Sequence, residues 1–201
     1  GLSEWAQKNS ERQATHEDYT LKIILHSDIT QRINDTFASL DINAEMIATI
    51  LFSPSLRNQS AFIVDRINFL PLLQQIVSSE LDSDRMDYLK RDSFFCGVKY
   101  GQFDSEWLIH CLSYAIQNDN VYLTLDRRGI FAFEDFLLSS HHMFLSVYYH
   151  HRTVCFDNML INFFSENPDY LLFNGNLDEY LLLDDISLIM LLRQHSSHWA
   201  K

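Results

Sequence analysis

Apolar residues recur at intervals of three and four along most of the chain, which is the spacing of amphipathic helices. Before residue 55 the pattern predicts three helices of ordinary length. The first is Thr20–His26, which runs on from Glu17. The second is capped by Asp28 or Thr30 and continues through Ile33, Phe37 and Leu40. The third is Ala44–Phe52, which Asn43 caps and Pro54 ends.

The rest of the chain continues the helical spacing over longer stretches. From Ala61 the pattern runs to Gly97, with a bend expected at Pro71. Further helices are predicted at Phe103–Ile116, from Glu134 to about Phe164, and once or twice between Leu177 and His195. Strand-like alternation at Val121–Leu125, followed by Asp126–Gly129 and Ile130–Phe133, predicts a small β-hairpin.

Composition supports a single helical domain. The 201 residues are 47% hydrophobic, which is enough to bury one sizeable core. Only 5 Gly and 3 Pro occur, so there is little turn chemistry for a sheet of many strands. We therefore expect an all-α fold, a helical bundle with one small β-hairpin.

Cysteine usage and hydropathy indicate the compartment. Cys96, Cys111 and Cys155 are widely spaced and odd in number, which favours neither a disulfide framework nor a zinc knuckle. The most apolar stretch, residues 170–192, is interrupted by acidic residues and is too polar for a membrane span. These features predict a cytoplasmic protein without a membrane partner.

The net charge of −12 restricts the class of ligand. Binding to duplex nucleic acid needs many Lys and Arg contacts to phosphate, so this charge argues against such a partner. An anionic substrate would need a local positive site, from a metal ion or from a few well-placed basic side chains.

The segment Leu81–Asp92 gathers polar chemistry on one helix face. With about 100° per residue, Tyr88, Asp92 and Arg85 lie within about 100° of Asp84. This set suits a phosphorylated ligand: a carboxylate for a hard cation, a guanidinium for phosphate, and a carboxylate with a phenol for sugar hydroxyls. Considered alone, however, these residues are explained more simply as a solvated face with ordinary ion pairs.

Histidines supply the other candidates. His16-Glu17 precedes a helix, where His16 could exchange protons and Glu17 could favour the positive end of the helix dipole. The doublets His141-His142 and His150-His151 are about 12–15 Å apart along a helix, too far to share one ion. They can therefore contribute only singly, as ligand-contacting or as hydrogen-bonded core residues.

Taken together, several segments resemble the HD-domain metal-dependent phosphohydrolases, in particular the branch of deoxynucleoside triphosphate triphosphohydrolases. The strongest is Ser-Glu-Leu-Asp-Ser-Asp-Arg-Met-Asp-Tyr-Leu-Lys-Arg-Asp-Ser at residues 79–93. The accompanying segments, in the family's order, are His16–Thr20, then Gly97, Tyr100-Gly101 and Phe103-Asp104, then His142–Phe144 with Val147–His150, and Leu183–Asp185.

The resemblance implies an HD-domain-like helical bundle that hydrolyses nucleotides with a divalent metal ion. It also implies homo-oligomers, because members of the family commonly assemble into dimers or larger. Carried over position by position, the implied roles are: Asp84 as the last protein ligand of the metal, His16 and Glu17 as catalytic residues, Arg85 as a phosphate contact, Tyr88 and Asp92 as sugar contacts, and Tyr148 and His150 as pocket lining.

Three departures from the family pattern stand out. The His-Asp doublet and the earlier His that complete the metal site precede the His16 segment in the family, and no His of this chain is followed by Asp. Ser140 and His151 stand where relatives often carry Arg and Lys, which removes fixed positive charge near the expected phosphate tail. Arg152 could compensate for that loss.

From these departures we expect residues 1–201 to be one helical domain, the later part of an HD phosphohydrolase domain truncated at both ends. The full-length protein would be the enzyme, and this part alone would be inactive. Two alternatives remain: a catalytically inactive nucleotide-binding or regulatory module, and a helical interaction protein in which the Asp84 face only mimics the motif.

Overall fold

The computed structural model describes residues 15–52, 59–167, 170 and 176–200. Ten α-helices lie in these ranges: α1 (His16–His26), α2 (Asp28–Thr36), α3 (Ala44–Phe52), α4 (Leu70–Val77), α5 (Ser83–Phe95), α6 (Ser105–His110), α7 (Ile130–Met143), α8 (His151–Glu166), α9 (Leu177–Leu181) and α10 (Asp185–Gln194). The predicted helical fold class with a small β element is confirmed.

Four short strands accompany these helices: β1 (Ile63–Val64), β2 (Ile67–Asn68), β3 (Leu112–Gln117) and β4 (Asn120–Leu125). They form one sheet in the order β1-β2-β4-β3. The two hairpins are antiparallel, and β2 pairs with β4 in parallel. None of the helices in the described ranges combines the length and the hydrophobicity that a membrane span requires.

The contacts divide the chain into two compact units. One is Ile33–His150, which contains the whole sheet, and the other consists of the two segments that flank it. In the second unit, the ring of Phe163 is buried and contacts Tyr170 and His195 edge to face, with ring centroids 5.2 and 5.0 Å away. Tyr19 and Tyr180 stack in the same unit, with centroids 4.3 Å apart.

The first and third helices agree with the predicted boundaries, whereas the second ends at Thr36 and Ala38–Leu40 forms a separate 3-10 turn. In α1 the Asp18 carboxylate accepts the Thr15 backbone N–H at 2.8 Å. α3 spans the predicted residues, and Asn43 Oδ1 caps it by accepting the Met46 N–H at 3.0 Å. Before α2, Ser27 Oγ accepts the Ile29 N–H, so the cap lies one residue earlier than Asp28. Pro54 lies outside the described residues.

The single helix predicted from Ala61 to Gly97 is wrong. The segment instead forms the β1–β2 hairpin, then α4, then α5. Asp65 and Arg66 adopt left-handed backbone angles (φ 51° and 72°), as a two-residue turn between strands requires. Pro71 lies in the first turn of α4, where its missing N–H costs no hydrogen bond, so no bend occurs there.

Two further predictions are wrong. One is the helix at Phe103–Ile116, and the other is the pairing of Val121–Leu125 with Ile130–Phe133 in the β-hairpin. Only α6 is helical, and the chain then enters β3, which pairs with β4. Asn118 and Asp119 have positive φ angles of 50° and 60° and make the tight turn. Ile130–Phe133 opens α7 instead of forming a strand.

The long helix predicted from Glu134 to about Phe164 is divided in two. α7 ends at Met143, a π-helical turn follows at Phe144–Tyr148, and α8 begins at His151. A π-turn widens the helix and shifts the direction of the side chains that it carries. The helices predicted between Leu177 and His195 are confirmed as α9 and α10.

The hydrophobic core of the Ile33–His150 unit holds α5 against α7. Its buried members are Leu89, Leu108, Ala132, Phe136 and Met143. Met86, Tyr88, Val147 and Tyr148 pack against this cluster. The core therefore fixes the position of α5 relative to the π-turn, which is where the predicted site residues lie.

Candidate functional site

Helix α5 carries four of the predicted site residues on a rigid element. Asp82 caps it by accepting the Arg85 N–H at 2.7 Å and the Ser79 N–H at 3.1 Å. Leu89 and Ser93 are buried in the same helix, whereas Arg85, Tyr88 and Asp92 are partly buried and Asp84 is exposed. The polar face therefore borders the core, against which Tyr88 packs.

The loop after α5 fits tightly against that helix. Gly97 ends the helix with a left-handed backbone (φ 68°), and Ser93 Oγ donates to the Val98 carbonyl at 2.8 Å. A Cβ atom on Gly101 would lie 2.1 Å from the Leu89 carbonyl oxygen, so only glycine permits this approach. The glycines of the motif thus have a structural role beside α5.

The contact between Asp92 and Tyr148 joins α5 to the π-turn. The Tyr148 hydroxyl donates to the Asp92 carboxylate at 2.5 Å. The Tyr148 ring also meets Tyr88 and Phe144 edge to face, with centroids 6.0 and 5.0 Å away. Residues 56 positions apart in sequence therefore form one polar-aromatic cluster.

The electrostatics of the cluster keep both phenols protonated. Burial, together with the hydrogen bond to Asp92, raises the pKa of Tyr148 far above its usual value. Burial also raises the pKa of Tyr88, an effect that the neighbouring Arg85 guanidinium opposes and the Asp82 and Asp84 carboxylates reinforce. Near neutral pH the site therefore offers two neutral hydroxyl groups beside carboxylates and one guanidinium.

Arg85 lies at the start of the same face, with its side chain 27% exposed. Its guanidinium donates to Glu80 at 2.8 Å. Glu80 is itself 83% exposed, so this ion pair is solvated and easily exchanged for another anion. Asp84 is exposed in the first turn of α5.

The other predicted residues lie around this cluster or in the second unit. His150 is partly buried just after the π-turn, and its backbone N–H donates to the Val147 carbonyl at 3.3 Å. His16 and Glu17 are exposed in the first turn of α1, which belongs to the other compact unit. The structure thus brings together Arg85, Tyr88, Asp92 and Tyr148 within Ile33–His150.

The implied divalent metal does not fit the described residues as a complete site. Within residues 15–52, 59–167, 170 and 176–200, no group of three or more His, Cys, Asp and Glu side chains could hold a metal ion. Asp84 is an oxygen donor of the right kind, but one exposed carboxylate cannot satisfy a divalent ion that takes six or more ligands in the case of Ca²⁺ or Mg²⁺.

Two contributors to this region were missed at the sequence level. Glu80 neutralises Arg85, and no local pattern indicated that pair because it is formed across the irregular turn before α5. The ring of Phe144 contacts Tyr148 within the π-turn, and no sequence signal indicated that turn. The Asp82 cap could have been found, since an Asp three residues before Arg85 is a typical helix start.

Two surface cavities lie near α5 without including the cluster. One, of about 580 Å³, is lined on another side of the helix by Met86, Lys90, Phe94, Phe95 and Ile109 among others. The other, of about 350 Å³, lies between Glu80, the β3–β4 hairpin and Phe133. Neither lining contains Arg85, Tyr88, Asp92 or Tyr148.

Comparison with known proteins places the chain among relatives that have not been characterised. It is 30% identical over 149 residues to an uncharacterized protein of Mycoplasma genitalium, covering 70% of this chain and 32% of that protein. An uncharacterized protein of Bacillus subtilis is 30% identical over 135 residues, with 67% and 27% covered. An uncharacterized protein of Methanocaldococcus jannaschii is 31% identical over 135 residues, with 65% and 29% covered.

A solved structure has the same fold. A hypothetical protein from Aquifex aeolicus superposes with a TM-score of 0.71 at 28% identity, covering 96% of this chain and 48% of that protein. The chain therefore spans about half of that protein and about a third of the curated relatives' length.

A family model adds the remaining comparison. Residues 103–201 match the family described as the HD associated region. This segment begins after the α5 motif and includes the π-turn that carries Tyr148. This part of the chain is therefore similar to the regions that accompany HD domains, which suggests a relation to HD-domain proteins.

Proposed function

We propose that this chain is the nucleotide-recognition part of a phosphohydrolase, most similar to the deoxynucleoside triphosphate triphosphohydrolases. The observation that carries the proposal is the Tyr148–Asp92 contact, which gathers Tyr88 and Arg85 into one cluster. The match to the HD associated region supports it, because HD-domain proteins are often hydrolytic. The relatives' names carry no information on activity.

Each member of the cluster would act on a different part of the ligand. Arg85 would exchange its solvated bond with Glu80 for a charge-assisted bond to a phosphate oxygen. Asp92 would accept hydrogen bonds from sugar hydroxyls, and the Tyr148 hydroxyl would both donate to them and accept from them. The Tyr88 ring would close the side of the sugar and exclude water.

Catalysis would belong to the complete protein. His16 would exchange a proton with the phosphate or its leaving group, with Glu17 beside it, while Arg85 would neutralise the charge that develops on phosphate. When bound, a divalent metal would polarise the phosphate. Asp84 would be its ligand from this chain, and the further ligands would come from a segment that the family places before His16.

A second candidate is a nucleotide-binding or regulatory module without turnover. It is favoured by the lack of a three-ligand metal group among the described residues. This candidate keeps the roles of Arg85, Tyr88 and Asp92 in binding and predicts no phosphate release. The two proposals therefore differ only in the chemical step.

The test is a phosphate-release screen of nucleoside and deoxynucleoside triphosphates with the complete protein. The variants are Asp92→Asn and Arg85→Gln, and the matched control is Asp87→Asn on the same helix, whose carboxylate pairs with Arg91 at 2.9 Å outside the cluster. We expect kcat/KM to fall about tenfold or more in the first two variants and less than about twofold in the control.

Binding of a non-hydrolysable deoxynucleoside triphosphate analogue by calorimetry separates the two candidates. Binding that Asp92→Asn weakens, with no phosphate release by the unaltered protein, would favour the module without turnover. If all three variants release phosphate at the same rate, the roles proposed for Asp92 and Arg85 are contradicted. Thermal unfolding of every variant checks that the fold is retained.

A further inference from the structure

Glu80 occupies a position at Arg85 that an anionic ligand would also take. Its carboxylate accepts a hydrogen bond from the Arg85 guanidinium at 2.8 Å, the distance of a charge-assisted bond. The same guanidinium neighbours the Tyr88 phenol, where it opposes the rise in pKa that burial causes. Arg85 is therefore shared between the candidate site and an anion that belongs to the chain itself.

The backbone around Glu80 is held in place, whereas its side chain extends into solvent. The Ser79 N–H donates to the Asp82 carboxylate at 3.1 Å, and the Leu81 N–H donates to Ser79 Oγ at 3.2 Å. Leu81 also packs against the hydrophobic core. The Glu80 side chain is 83% exposed, so it can leave Arg85 for water without moving this turn. The turn thus keeps a carboxylate near Arg85 that a ligand can displace.

Arg85 does not depend on this carboxylate for its position. Only 27% of its side chain is exposed, so the packing around it restricts the guanidinium even when Glu80 is absent. Ion pairs between solvated side chains are weak and change an equilibrium by a few-fold at most. The main effect of Glu80 on a ligand is therefore competition for Arg85, and not the orientation of Arg85.

We propose that Glu80 is an internal competitor for phosphate at Arg85 and thereby a specificity-determining residue of the site. The inference rests on the proposed function, in which Arg85 binds the phosphate while Asp92 and Tyr148 bind the sugar. Every ligand that uses Arg85 must displace Glu80. Anions that contact Arg85 alone bind weakly, so this penalty suppresses their binding first. A nucleotide that also contacts Asp92 and Tyr148 has affinity to spare and remains bound.

The test is a calorimetric titration of the complete protein with inorganic tripolyphosphate, after divalent metal has been removed by dialysis against a chelator. Tripolyphosphate offers phosphate oxygens without a sugar. We expect Glu80→Gln to lower its Kd about threefold or more, and Arg85→Gln to raise it. A deoxynucleoside, which offers the sugar without phosphate, should bind the unaltered protein and Glu80→Gln equally.

Two controls assign the gain in affinity to the pair of Glu80 with Arg85. Asp87→Asn also removes one negative charge, but Asp87 pairs with Arg91 at 2.9 Å, so the Kd of tripolyphosphate should change less than about 1.5-fold. In an Arg85→Gln background, Glu80→Gln should no longer lower the Kd. An equal gain in either control, or a Kd that Glu80→Gln leaves unchanged or raises, would overturn the proposal. So would the absence of tripolyphosphate binding to Glu80→Gln.

The non-hydrolysable deoxynucleoside triphosphate analogue separates this inference from the proposed function. If Asp92→Asn weakens binding of the analogue but Glu80→Gln changes the Kd of neither ligand, the competitor role is wrong and the proposed function stands. If tripolyphosphate responds as expected but the analogue binds no more tightly and ignores Asp92→Asn, the competition at Arg85 stands and the proposed nucleotide recognition is wrong.

Discussion

At the scale of single residues, the hydrogen bond from Tyr148 to Asp92 is the interaction on which the candidate site depends. It joins α5 to the π-turn, and both partners are partly buried. A hydrogen bond to a charged acceptor stabilises a fold more than a neutral one, because the acceptor would otherwise lose its hydration without compensation. The same bond that shapes the site therefore contributes to stability.

The pH dependence of this contribution follows from the pKa of Tyr148, which burial and the Asp92 carboxylate raise. An unfolded tyrosine ionises near pH 10, whereas the folded Tyr148 keeps its proton at higher pH. Its stabilisation is thus fully present below about pH 10 and is lost as the pH rises further. Tyr148→Phe should cost about 1.5 kcal/mol at pH 7, and the difference in unfolding free energy should narrow above pH 10.

Urea unfolding of the unaltered chain and of Tyr148→Phe between pH 7 and 11 measures this difference. Tyr149→Phe is the matched control, because Tyr149 is exposed and its hydroxyl donates to no described carboxylate. A difference that stays constant up to pH 11 would show that the folded Tyr148 hydroxyl is not held by Asp92.

At the scale of elements, helices were predictable where their caps and apolar spacing lie within one segment. Ala44–Phe52 was found to the residue, because Asn43 and the periodicity are local signals. The prediction of a single helix from Ala61 to Gly97 failed, because left-handed turns at Asp65 and Arg66 leave the apolar spacing unchanged. The Asp82 cap starts α5 at the residue that places Asp84 and Arg85 in the first turn.

The cap of α5 can be tested separately from the proposed ligand site. Asp82→Ala removes acceptors for the Arg85 and Ser79 N–H groups and should cost about 1 kcal/mol, lowering Tm by about 2–4 °C. Asp84→Ala in the same turn is the matched control, since no described hydrogen bond uses its exposed carboxylate. Calorimetry that gave equal Tm shifts for both variants would contradict the capping role.

The two glycines that follow α5 should respond to substitution for different reasons. At Gly101 an added Cβ would collide with the Leu89 carbonyl, so Gly101→Ala should cost more than about 2 kcal/mol. At Gly97 the space is open, and only the left-handed backbone penalises a side chain, by about 1 kcal/mol.

Asn tolerates that backbone better than Ala, so Gly97→Asn should recover part of the loss caused by Gly97→Ala, whereas Gly101→Asn should recover none of the loss at Gly101. Thermal or urea unfolding of the four variants measures these costs. Equal recovery at both positions would show that backbone angle, and not contact with α5, determines the need for Gly101.

At the scale of the whole molecule, the sequence predicted the helical class but not the grouping of its segments. One compact unit combines the chain before Ile33 with the chain after His150, and no local periodicity encodes a contact between such distant segments. The candidate site was likewise predictable only where it depends on local spacing. The polar face of α5 was predictable from its spacing, whereas the Tyr148–Asp92 contact depends on the π-turn that redirects the helix.

Under the proposed function, metal binding would distinguish this chain from the complete protein. A single exposed carboxylate such as Asp84 competes poorly with water for a divalent ion, and no described group of three ligands supports it. After dialysis, the 201-residue chain should retain no stoichiometric Mn²⁺, and Asp84→Ala should change nothing. The complete protein should retain the ion, and there Asp84→Ala should reduce its content by tenfold or more in elemental analysis.

The matched variant Asp87→Ala should leave both results unchanged, because Asp87 pairs with Arg91 on another side of α5. Tight binding by the 201-residue chain that Asp84→Ala abolishes would contradict this division and show that the chain itself completes the site.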